Sequence, residues 1–316
     1  MSKWRVADRP PSRLAQSAPT GSSPRAFRCG QVAIVGRPNV GKSTLLNALV
    51  GARISITSKK PQTTRHRVLG ILTTAEEQCI FVDTPGYQTL HGSLLNERMN
   101  RAVRDSLREV DVIVVVLEAG RLTDADRAVL ALLPSAIPAI AAVNKVDRLK
   151  DKASLLPYFA QLSATRDFAA IVPISAEKKW QLDDLLAEIA ARLPAGDALY
   201  AEDELTDRDE RFLASEYLRE KIFRALGEEV PYSTSVGIDS FEHTGELRRI
   251  HATVYVDKAS HRAMLVGEGG LRMKAMASAA RRDMERLFGG KVFLEVWVRV
   301  KSGWADDKRM LDQLGY

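Results

Sequence analysis

Apolar residues in the first two-thirds of the chain form short runs, separated by segments with helical periodicity. The runs are rich in β-branched residues, as buried strands are, and lie at 31–35, 80–83, 112–116, 137–144 and 169–175. Helical spacing follows the first run and recurs at about 94–110, 124–133, 151–164 and 181–193. This alternation predicts an α/β domain with a mostly parallel sheet and helices on both faces. Ligands of such sheets bind at the carboxyl ends of the strands.

The pattern changes after residue 195. A polar, acidic stretch at 196–206 predicts a linker, and apolar spacing then predicts a helix over 207–226. Strand-like runs follow at 234–242, 247–257 and 291–301, with a glycine-rich turn and a helix to about residue 288 between the last two. The last strand has apolar residues at 292, 294, 296, 298 and 300, and places Phe293, Trp297, Arg299 and Lys301 on its other face. Residues 207–316 therefore predict a smaller α+β domain.

Composition is that of an ordinary globular protein, since 45% of the 316 residues are hydrophobic and 27% are charged. Residues 1–28 differ, because they carry six basic groups and one acidic group among many Pro and Ser residues. We predict that this tail is disordered. Its prolines disfavour the amphipathic helix of an organelle transit peptide, so that interpretation ranks behind a loose nucleic-acid-binding arm or a segment without function.

Two features bear on the cellular compartment. Cys29 and Cys79 are the only cysteines and have no metal-ligand spacing, which predicts reduced thiols in the cytoplasm. No apolar run approaches the roughly 18 residues of a membrane span, so we predict that the chain is not integral to a membrane.

The first strand runs into the loop GRPNVGKS, residues 36–43. This loop fits the phosphate-binding pattern G-x-x-x-x-G-K-[ST]. Backbone N–H groups of such a loop surround phosphate oxygens, and the following helix N-terminus adds positive potential. Lys42 is predicted to reach the β- and γ-phosphates, and the Ser43 hydroxyl is predicted to bind Mg²⁺.

The second strand ends in Asp83-Thr84-Pro85-Gly86. An acid at the end of a buried strand can hold Mg²⁺ through water, which is the role predicted for Asp83. The backbone N–H of Gly86 can bond the γ-phosphate and release it after hydrolysis.

A later strand ends in Asn144-Lys145-Val146-Asp147, which is predicted to select the base. The Asp147 carboxylate can accept hydrogen bonds from guanine N1–H and the 2-amino group. Adenine has neither donor and would leave the carboxylate unpaired, which gives strong discrimination. The Lys145 stem can cover the base, and Asn144 can tie this loop to the phosphate loop.

A further strand ends in Ser175-Ala176-Glu177, which can offer a backbone N–H to guanine O6. The four motifs together predict a guanine-nucleotide site in which Lys42, Asp83 and Gly86 serve catalysis. Its residues are Gly36, Arg37, Pro38, Asn39, Val40, Gly41, Lys42, Ser43, Asp83, Thr84, Pro85, Gly86, Tyr87, Asn144, Lys145, Val146, Asp147, Ser175, Ala176 and Glu177.

The first 195 residues resemble a G domain of the translation-factor-related class. The phosphate-loop sequence GRPNVGKS and the stretch ISITSKKPQTTRHRVLGI at 54–71 resemble those of the Era family of ribosome-assembly GTPases. The resemblance implies that Thr64 closes on Mg²⁺ and the γ-phosphate and serves catalysis, with Thr63 as the other candidate. Ser43, Thr64 and Asp83 would then form the metal site.

Tyr87 constrains the mechanism, because it stands where many GTPases carry a water-positioning glutamine. A phenol cannot replace a carboxamide, so we predict slow intrinsic hydrolysis. In relatives that this chain resembles, the residue equivalent to Asn39 helps to bind K⁺, which could supply charge near the phosphates. The alternative is that Asn39 only caps a turn, and both interpretations stay open.

Gly267-Glu268-Gly269-Gly270 forms a Gly-x-x-Gly turn before a helix, which is typical of KH domains that clamp single-stranded RNA. Residues 248–301 hold 12 basic and 5 acidic groups, whereas residues 202–247 hold 5 basic and 13 acidic groups. The first segment therefore has the charge of a phosphate binder. The predicted RNA contacts are Lys258, Arg262, Gly267, Glu268, Gly269, Gly270, Arg272, Lys274, Trp297 and Lys301.

This half resembles the C-terminal KH domain of Era, whose family carries the stretches seen at 207–223, 230–233 and 300–307. One departure is the turn itself, which lacks the basic residue that the family usually has and instead has Glu268. That change is expected to weaken RNA affinity rather than abolish RNA binding.

We therefore predict two folded domains after the tail, a G domain at 29–195 and a KH domain at 207–316, joined by a linker at 196–206. The resemblance implies a GTPase that cycles between GTP and GDP, binds the 3′ end of 16S rRNA and acts in 30S subunit assembly. It also implies a cytoplasmic monomer with peripheral membrane association.

Two alternatives come from other classes. A P-loop kinase is disfavoured by the base motif at 144–147. An RNA-binding scaffold with a vestigial nucleotide site is disfavoured by Lys42, Ser43, Asp83 and Asp147.

Overall fold

The computed structural model describes residues 26–58, 60, 63–87, 93–227 and 229–316. Within this part the chain forms two compact units. The first contains residues 26–55, 67–87 and 100–207, and the second contains residues of 56–66 together with 93–99 and 208–316. Residues 1–25 of the predicted tail lie outside the described residues.

The first unit is built on a six-stranded sheet in the order β2-β3-β1-β4-β5-β6. Its strands are β1 (Arg28–Val35), β2 (Val68–Thr73), β3 (Glu77–Asp83), β4 (Val112–Glu118), β5 (Ala139–Asn144) and β6 (Ala170–Pro173). The strands pair in parallel except for β2, which is antiparallel to β3 at the sheet edge. The helices are α1 (Lys42–Val50), α3 (Asp124–Ala131), α4 (Leu155–Thr165), α5 (Leu182–Ala190) and, from residue 100 onward, α2 (Leu94–Ser106), whose first residues belong to the second unit.

Successive residues of the central strands point to opposite faces of the sheet, and each face has its own apolar core. Val32, Val114 and Ile140 pack with residues of α1 and α5. Ala33 and Val115 pack on the other face with residues of α3 and α4. Helices therefore cover both faces, and β1, β3 and β5 each end at a predicted nucleotide motif.

The segment predicted as a linker is fastened to the first unit. The buried Gln78 on β3 accepts hydrogen bonds from the backbone N–H groups of Leu199 and Tyr200, at 2.8 and 3.0 Å, and donates to the Tyr200 carbonyl at 2.9 Å. Leu205 accepts from Ile71 N–H of β2 at 2.9 Å. Leu199, Tyr200 and Leu205 are therefore bound to β2 and β3 of the first unit.

The second unit contains a three-stranded sheet in the order β7-β8-β9. The strands are β7 (Thr234–Thr244), β8 (Leu247–Val256) and β9 (Lys291–Val300), with β7 and β8 antiparallel and β8 and β9 parallel. The helices are α6 (Glu210–Ala225), α7 (Glu229–Tyr232), α8 (Ala259–Val266), α9 (Leu271–Phe288) and α10 (Lys308–Gln313).

The face of β9 that was predicted to be apolar is only partly buried. Val292 is buried, but Leu294 is half-buried and Val300 is 46% exposed. Phe293 and Trp297, on the other face, are exposed.

Residues 56–66 belong to the second unit although they follow α1 in sequence. The buried Arg65 guanidinium donates to the carbonyl oxygens of Pro231, Tyr232 and Thr234 at 3.1, 3.0 and 2.8 Å. Thr57 N–H donates to Glu220 of α6 at 3.1 Å. This stretch is therefore held by α6 and by residues 231–234, where α7 ends and β7 begins.

No helix among the described residues has the length and apolar character needed to cross a membrane.

Candidate functional site

The loop between β1 and α1 has the backbone that its sequence predicts. Gly36 and Gly41 adopt φ of 154° and 105°, and Asn39 adopts φ of 65°. A Cβ on Gly41 would lie 2.4 Å from Asn144 Nδ2, and one on Gly36 would lie 2.5 Å from the Val116 carbonyl oxygen. Both positions favour glycine for two reasons: a Cβ would clash with a neighbouring group, and the φ angle is positive.

Lys42 lies at the start of α1 and is buried. Its ammonium donates to the carbonyl oxygens of Gly36 and Arg37, both at 3.0 Å, so it spans the loop. Burial lowers the pKa of Lys42 to about 8, although the Asp83 carboxylate acts in the opposite direction. Phosphate oxygens would give this buried cation the counter-charge that two carbonyls cannot supply.

Asp83 ends β3 and is fully buried. Its Oδ2 accepts hydrogen bonds from the hydroxyls of Ser43, at 2.7 Å, and Ser55, at 2.9 Å. Its Oδ1 is also buried and has no hydrogen-bond partner among the described residues. Burial raises the pKa of Asp83, against the lowering effect of Lys42 and of these hydrogen bonds.

An oxygen-ligand set of this kind fits Mg²⁺, which prefers oxygen ligands and keeps several waters. The unpartnered Asp83 Oδ1 can accept from a metal-bound water, and Ser43 provides a hydroxyl beside it. Ser55 was missed by the sequence analysis. No motif marks it, and its contact with Asp83 arises only because the chain folds back after α1.

The segment after β3 follows the phosphate loop closely. Thr84 Oγ1 donates to the Ile34 carbonyl at 3.0 Å, which fixes the segment to β1. A Cβ on Gly86 would lie 3.0 Å from Pro38 N, so the Gly86 backbone passes against the phosphate loop. Tyr87 is half-buried and packs against the apolar core beneath α3 and α4.

Asn144 joins three loops. Its Nδ2 donates to the Val40 carbonyl at 2.8 Å, which is the predicted tie to the phosphate loop. Its Oδ1 accepts from the backbone N–H groups of Lys145, at 2.8 Å, and Ala176, at 3.0 Å. One buried side chain thus aligns the phosphate loop, the base motif and the Ser175-Ala176-Glu177 loop.

The remaining base-motif side chains are also placed at this end of the sheet. Lys145 Nζ donates to the Asn39 carbonyl at 2.7 Å. Asp147 Oδ1 accepts from Ser175 Oγ at 2.6 Å, so the two loops are connected at the position predicted for guanine. Glu177 is exposed and lies 3.4 Å from Arg148. Arg37 turns its side chain toward two acids, Glu118 and Asp126, that the sequence analysis did not identify.

Thr64 and Thr63 lie in the second unit with residues 56–66, and Ser43 and Asp83 lie in the first. Thr64 is buried. Thr63 Oγ1 donates to the Lys60 carbonyl at 2.8 Å.

The glycine-rich turn joins α8 to α9. Gly267, Gly269 and Gly270 have φ of 72°, 54° and 79°. A Cβ on Gly267 would lie 2.7 Å from Arg272 Cβ, whereas Gly269 and Gly270 face open space. Gly267 is therefore the position of the turn that packing restricts most.

A groove of about 520 Å³ lies between α8, α9 and β9. Four of the predicted RNA contacts line it, namely Arg262, Gly270, Lys274 and Trp297. Arg281 also lines the groove and was not predicted, because only the helical turn of α9 brings it beside Lys274.

The other predicted RNA contacts are not among the residues that line the groove. Arg272 donates to the Met264 carbonyl at 2.6 Å, and Lys301 lies 3.7 Å from Asp307. Lys258 is the N-cap residue of α8, and Glu268 and Gly269 are part of the turn itself.

Comparison with known proteins agrees with these sites. A family described as 50S ribosome-binding GTPase matches residues 31–145, and a KH domain family matches residues 229–305. The chain is thus a GTPase whose G domain is followed by a KH domain.

GTPase Era of Nitrosomonas eutropha is 54% identical over 294 residues, covering 93% of this chain and 99% of the relative. GTPase Era of Chromobacterium violaceum is 54% identical over 92% of this chain and 98% of the relative. The chain belongs to the GTPase Era family.

Two solved structures are similar over nearly the whole chain. Aquifex aeolicus Era bound to GDP·AlF4⁻ has a TM-score of 0.89 and 36% identity, covering 92% of this chain and 99% of the other. An Era complex with MgGDPNP and nucleotides 1506–1542 of 16S ribosomal RNA has a TM-score of 0.88 and 36% identity over the same shares. The predicted family, fold class and GTPase activity are confirmed.

Proposed function

We propose that this chain is a GTP/GDP switch that binds the 3′ end of 16S rRNA and acts in assembly of the small ribosomal subunit. The observation that carries this proposal is the full-length similarity to an Era protein in complex with a magnesium-bound GTP analogue and that RNA segment. The groove beside Lys274 and Trp297 supports it from the chain's own residues.

On the nucleotide side, the phosphate-loop amides and Lys42 bind and orient the phosphates, while Asp147 pairs with guanine. Ser43 and Thr64 would hold Mg²⁺ directly, and Asp83 would hold it through water. The metal supplies positive charge where negative charge develops during γ-phosphoryl transfer. Thr64 itself belongs to the second unit, with the other described residues of 56–66.

Hydrolysis is proposed to be slow without help. Tyr87 has no carboxamide to orient water, and its ring packs against the apolar core. The exposed Asn39, whose carbonyl already accepts from Lys145, is the proposed K⁺ ligand. The monomeric state and the peripheral membrane association implied by the resemblance remain proposals.

On the RNA side, Lys274, Arg262 and Arg281 supply positive charge along the groove, and exposed Trp297 supplies a surface for base stacking. Stacking of a base on an aromatic side chain contributes about 1–3 kcal/mol and tolerates many sequences. The negative charge of Glu268 in the turn repels RNA phosphates, which should lower the affinity for RNA.

The test is a titration of the full chain with a 3′-terminal 16S rRNA oligonucleotide at several salt concentrations. Lys274→Glu should weaken binding and reduce the salt slope by about 0.7 for each lost contact, without changing GTP affinity. Lys308→Glu makes the same charge change at an exposed position of α10 and should have little effect. Glu268→Lys should raise affinity. The proposal would be contradicted if the chain did not bind this RNA, or if Lys274→Glu and Lys308→Glu lost equal amounts of RNA affinity.

A further inference from the structure

Glu118 is the last residue of β4 and lies between two nucleotide-binding loops. One carboxylate oxygen, Oε2, accepts from Arg37 Nη2 at 2.6 Å. The other, Oε1, lies 3.2 Å from Lys145 Nζ. Arg37 belongs to the phosphate loop and Lys145 to the base motif, so one acid pairs with a cation from each.

Both cations have a second contact that fixes them. Arg37 Nε lies 3.1 Å from Oδ1 of the buried Asp126, although its N–H points to Oδ2 at 3.3 Å. Asp126 Oδ2 in turn accepts from Thr123 N–H and Oγ1, at 2.9 and 2.6 Å, at the start of α3. Lys145 Nζ also donates to the Asn39 carbonyl. The ion pairs therefore form a chain from α3 through both loops.

The electrostatics favour a charged Glu118. Burial alone would raise the pKa of this carboxyl group, but hydrogen bonds from Arg37 and Lys145 outweigh burial and hold the pKa below its ordinary value. The carboxylate thus offsets two positive charges at one point. Without it, the Lys145 ammonium would keep only a carbonyl partner, and its flexible four-carbon stem would lose an anchor.

We propose that Glu118 is a positioning residue for nucleotide binding, which holds Lys145 over the base and Arg37 in the phosphate loop so that the two loops act together. This inference rests on the guanine-nucleotide site proposed above. Glu118 acts through its two partners, so it should affect how well a nucleotide binds and not how fast the γ-phosphate is transferred.

The test measures KM and kcat separately for GTP hydrolysis by Glu118→Gln. This substitution keeps the shape of the side chain and removes its charge. With slow chemistry KM approximates the dissociation constant, and loss of two charge-assisted hydrogen bonds should raise it about tenfold or more while kcat stays within about twofold. Glu118→Asp retains the charge and should recover part of the affinity. Glu188→Gln removes the half-buried carboxylate of an α5 residue that pairs with Arg192 at 2.6 Å, and should change neither parameter.

A second background tests whether Glu118 acts through Lys145. In Lys145→Met, a further Glu118→Gln change should raise the dissociation constant for GDP less than in the unsubstituted chain, because one of the two partners of Glu118 is gone and only Arg37 remains. An unchanged KM in Glu118→Gln, an undiminished effect in Lys145→Met, or a fall in kcat with a lower melting temperature would overturn the inference. Failure of the unsubstituted chain to bind GDP would instead reject the proposed nucleotide site itself.

Discussion

Replacement of Asn144 by alanine should separate the three loops that form the nucleotide site. The Asn144 side chain makes three hydrogen bonds, to the Val40 carbonyl and to the N–H groups of Lys145 and Ala176. All three partners are backbone groups of nucleotide-binding loops. Asn144→Ala leaves them without their present partner in a buried region, since Asn144 is 3% exposed.

The expected magnitude follows from these bonds. A neutral hydrogen bond contributes about 1 kcal/mol net, so their removal should cost about 3 kcal/mol, and more where a buried group stays unpaired. The cost divides between folding and binding, because the same three loops belong to the fold and form the nucleotide site. We expect the free energy of unfolding to fall by about 1–2 kcal/mol. The dissociation constant for GDP should rise about tenfold to a hundredfold, since 1.4 kcal/mol is a factor of ten.

The assay combines chemical denaturation with titration of GDP into the folded chain. Asn47→Ala is the matched control, because Asn47 also makes three hydrogen bonds to backbone groups, at Ile54 N and at Ser55 N and O. It should lose similar stability and much less GDP affinity. Equal GDP affinity in Asn144→Ala and the unsubstituted chain, or equal affinity losses in the two variants, would refute the role given to Asn144.

Three further predictions concern single positions. Because the pKa of Lys42 is about 8 and bound phosphates should raise it, GDP affinity should be constant from about pH 7 to pH 8 and fall up to about tenfold per pH unit above pH 8. Guanosine, which lacks phosphates, should bind equally from about pH 7 to about pH 9, and a parallel fall for guanosine would contradict the assignment to Lys42. Asp147→Asn should weaken GTP binding and relax discrimination against xanthosine nucleotides in competition titrations; tight binding of ATP by the unsubstituted chain would argue against guanine selection. Turnover should be faster in K⁺ than in Na⁺, and Asn39→Ala should remove that difference without loss of GDP binding; equal rates in both salts would remove the K⁺ proposal.

Much of the nucleotide site could be predicted because each motif is contiguous in sequence and ends a buried strand. The loop from Gly36 to Ser43 carries in its own sequence the glycines that its positive φ angles favour. Ser55, Glu118 and Asp126 could not be found this way. Each acts on a motif residue that lies 28 to 89 positions away, and only the folded chain brings the two together.

The fold shows the same division. Strands with continuous apolar runs were predicted, with ends that differ by a few residues from those observed. Strand β2 (Val68–Thr73) was missed. It is an edge strand that pairs with one neighbour, and it begins inside the stretch 54–71, which was interpreted only by its resemblance to the Era family. The exposure of Val300 was also unexpected. Alternation shows which residues share a face of β9 but not how far that face is covered.

The chain crosses between the two units more than once, because residues 56–66 and 93–99 interrupt the stretches that form the first unit. Arg65 finds all three of its carbonyl acceptors between residues 231 and 234. Suppose that recombination joined the first 195 residues to an unrelated carboxyl-terminal half. The buried Arg65 guanidinium would then lose its hydrogen-bond acceptors unless the new half supplied the same carbonyls. The two halves should therefore be inherited together, and a chimaera should fold only when its carboxyl-terminal half presents main-chain carbonyls to Arg65 as residues 231–234 do here.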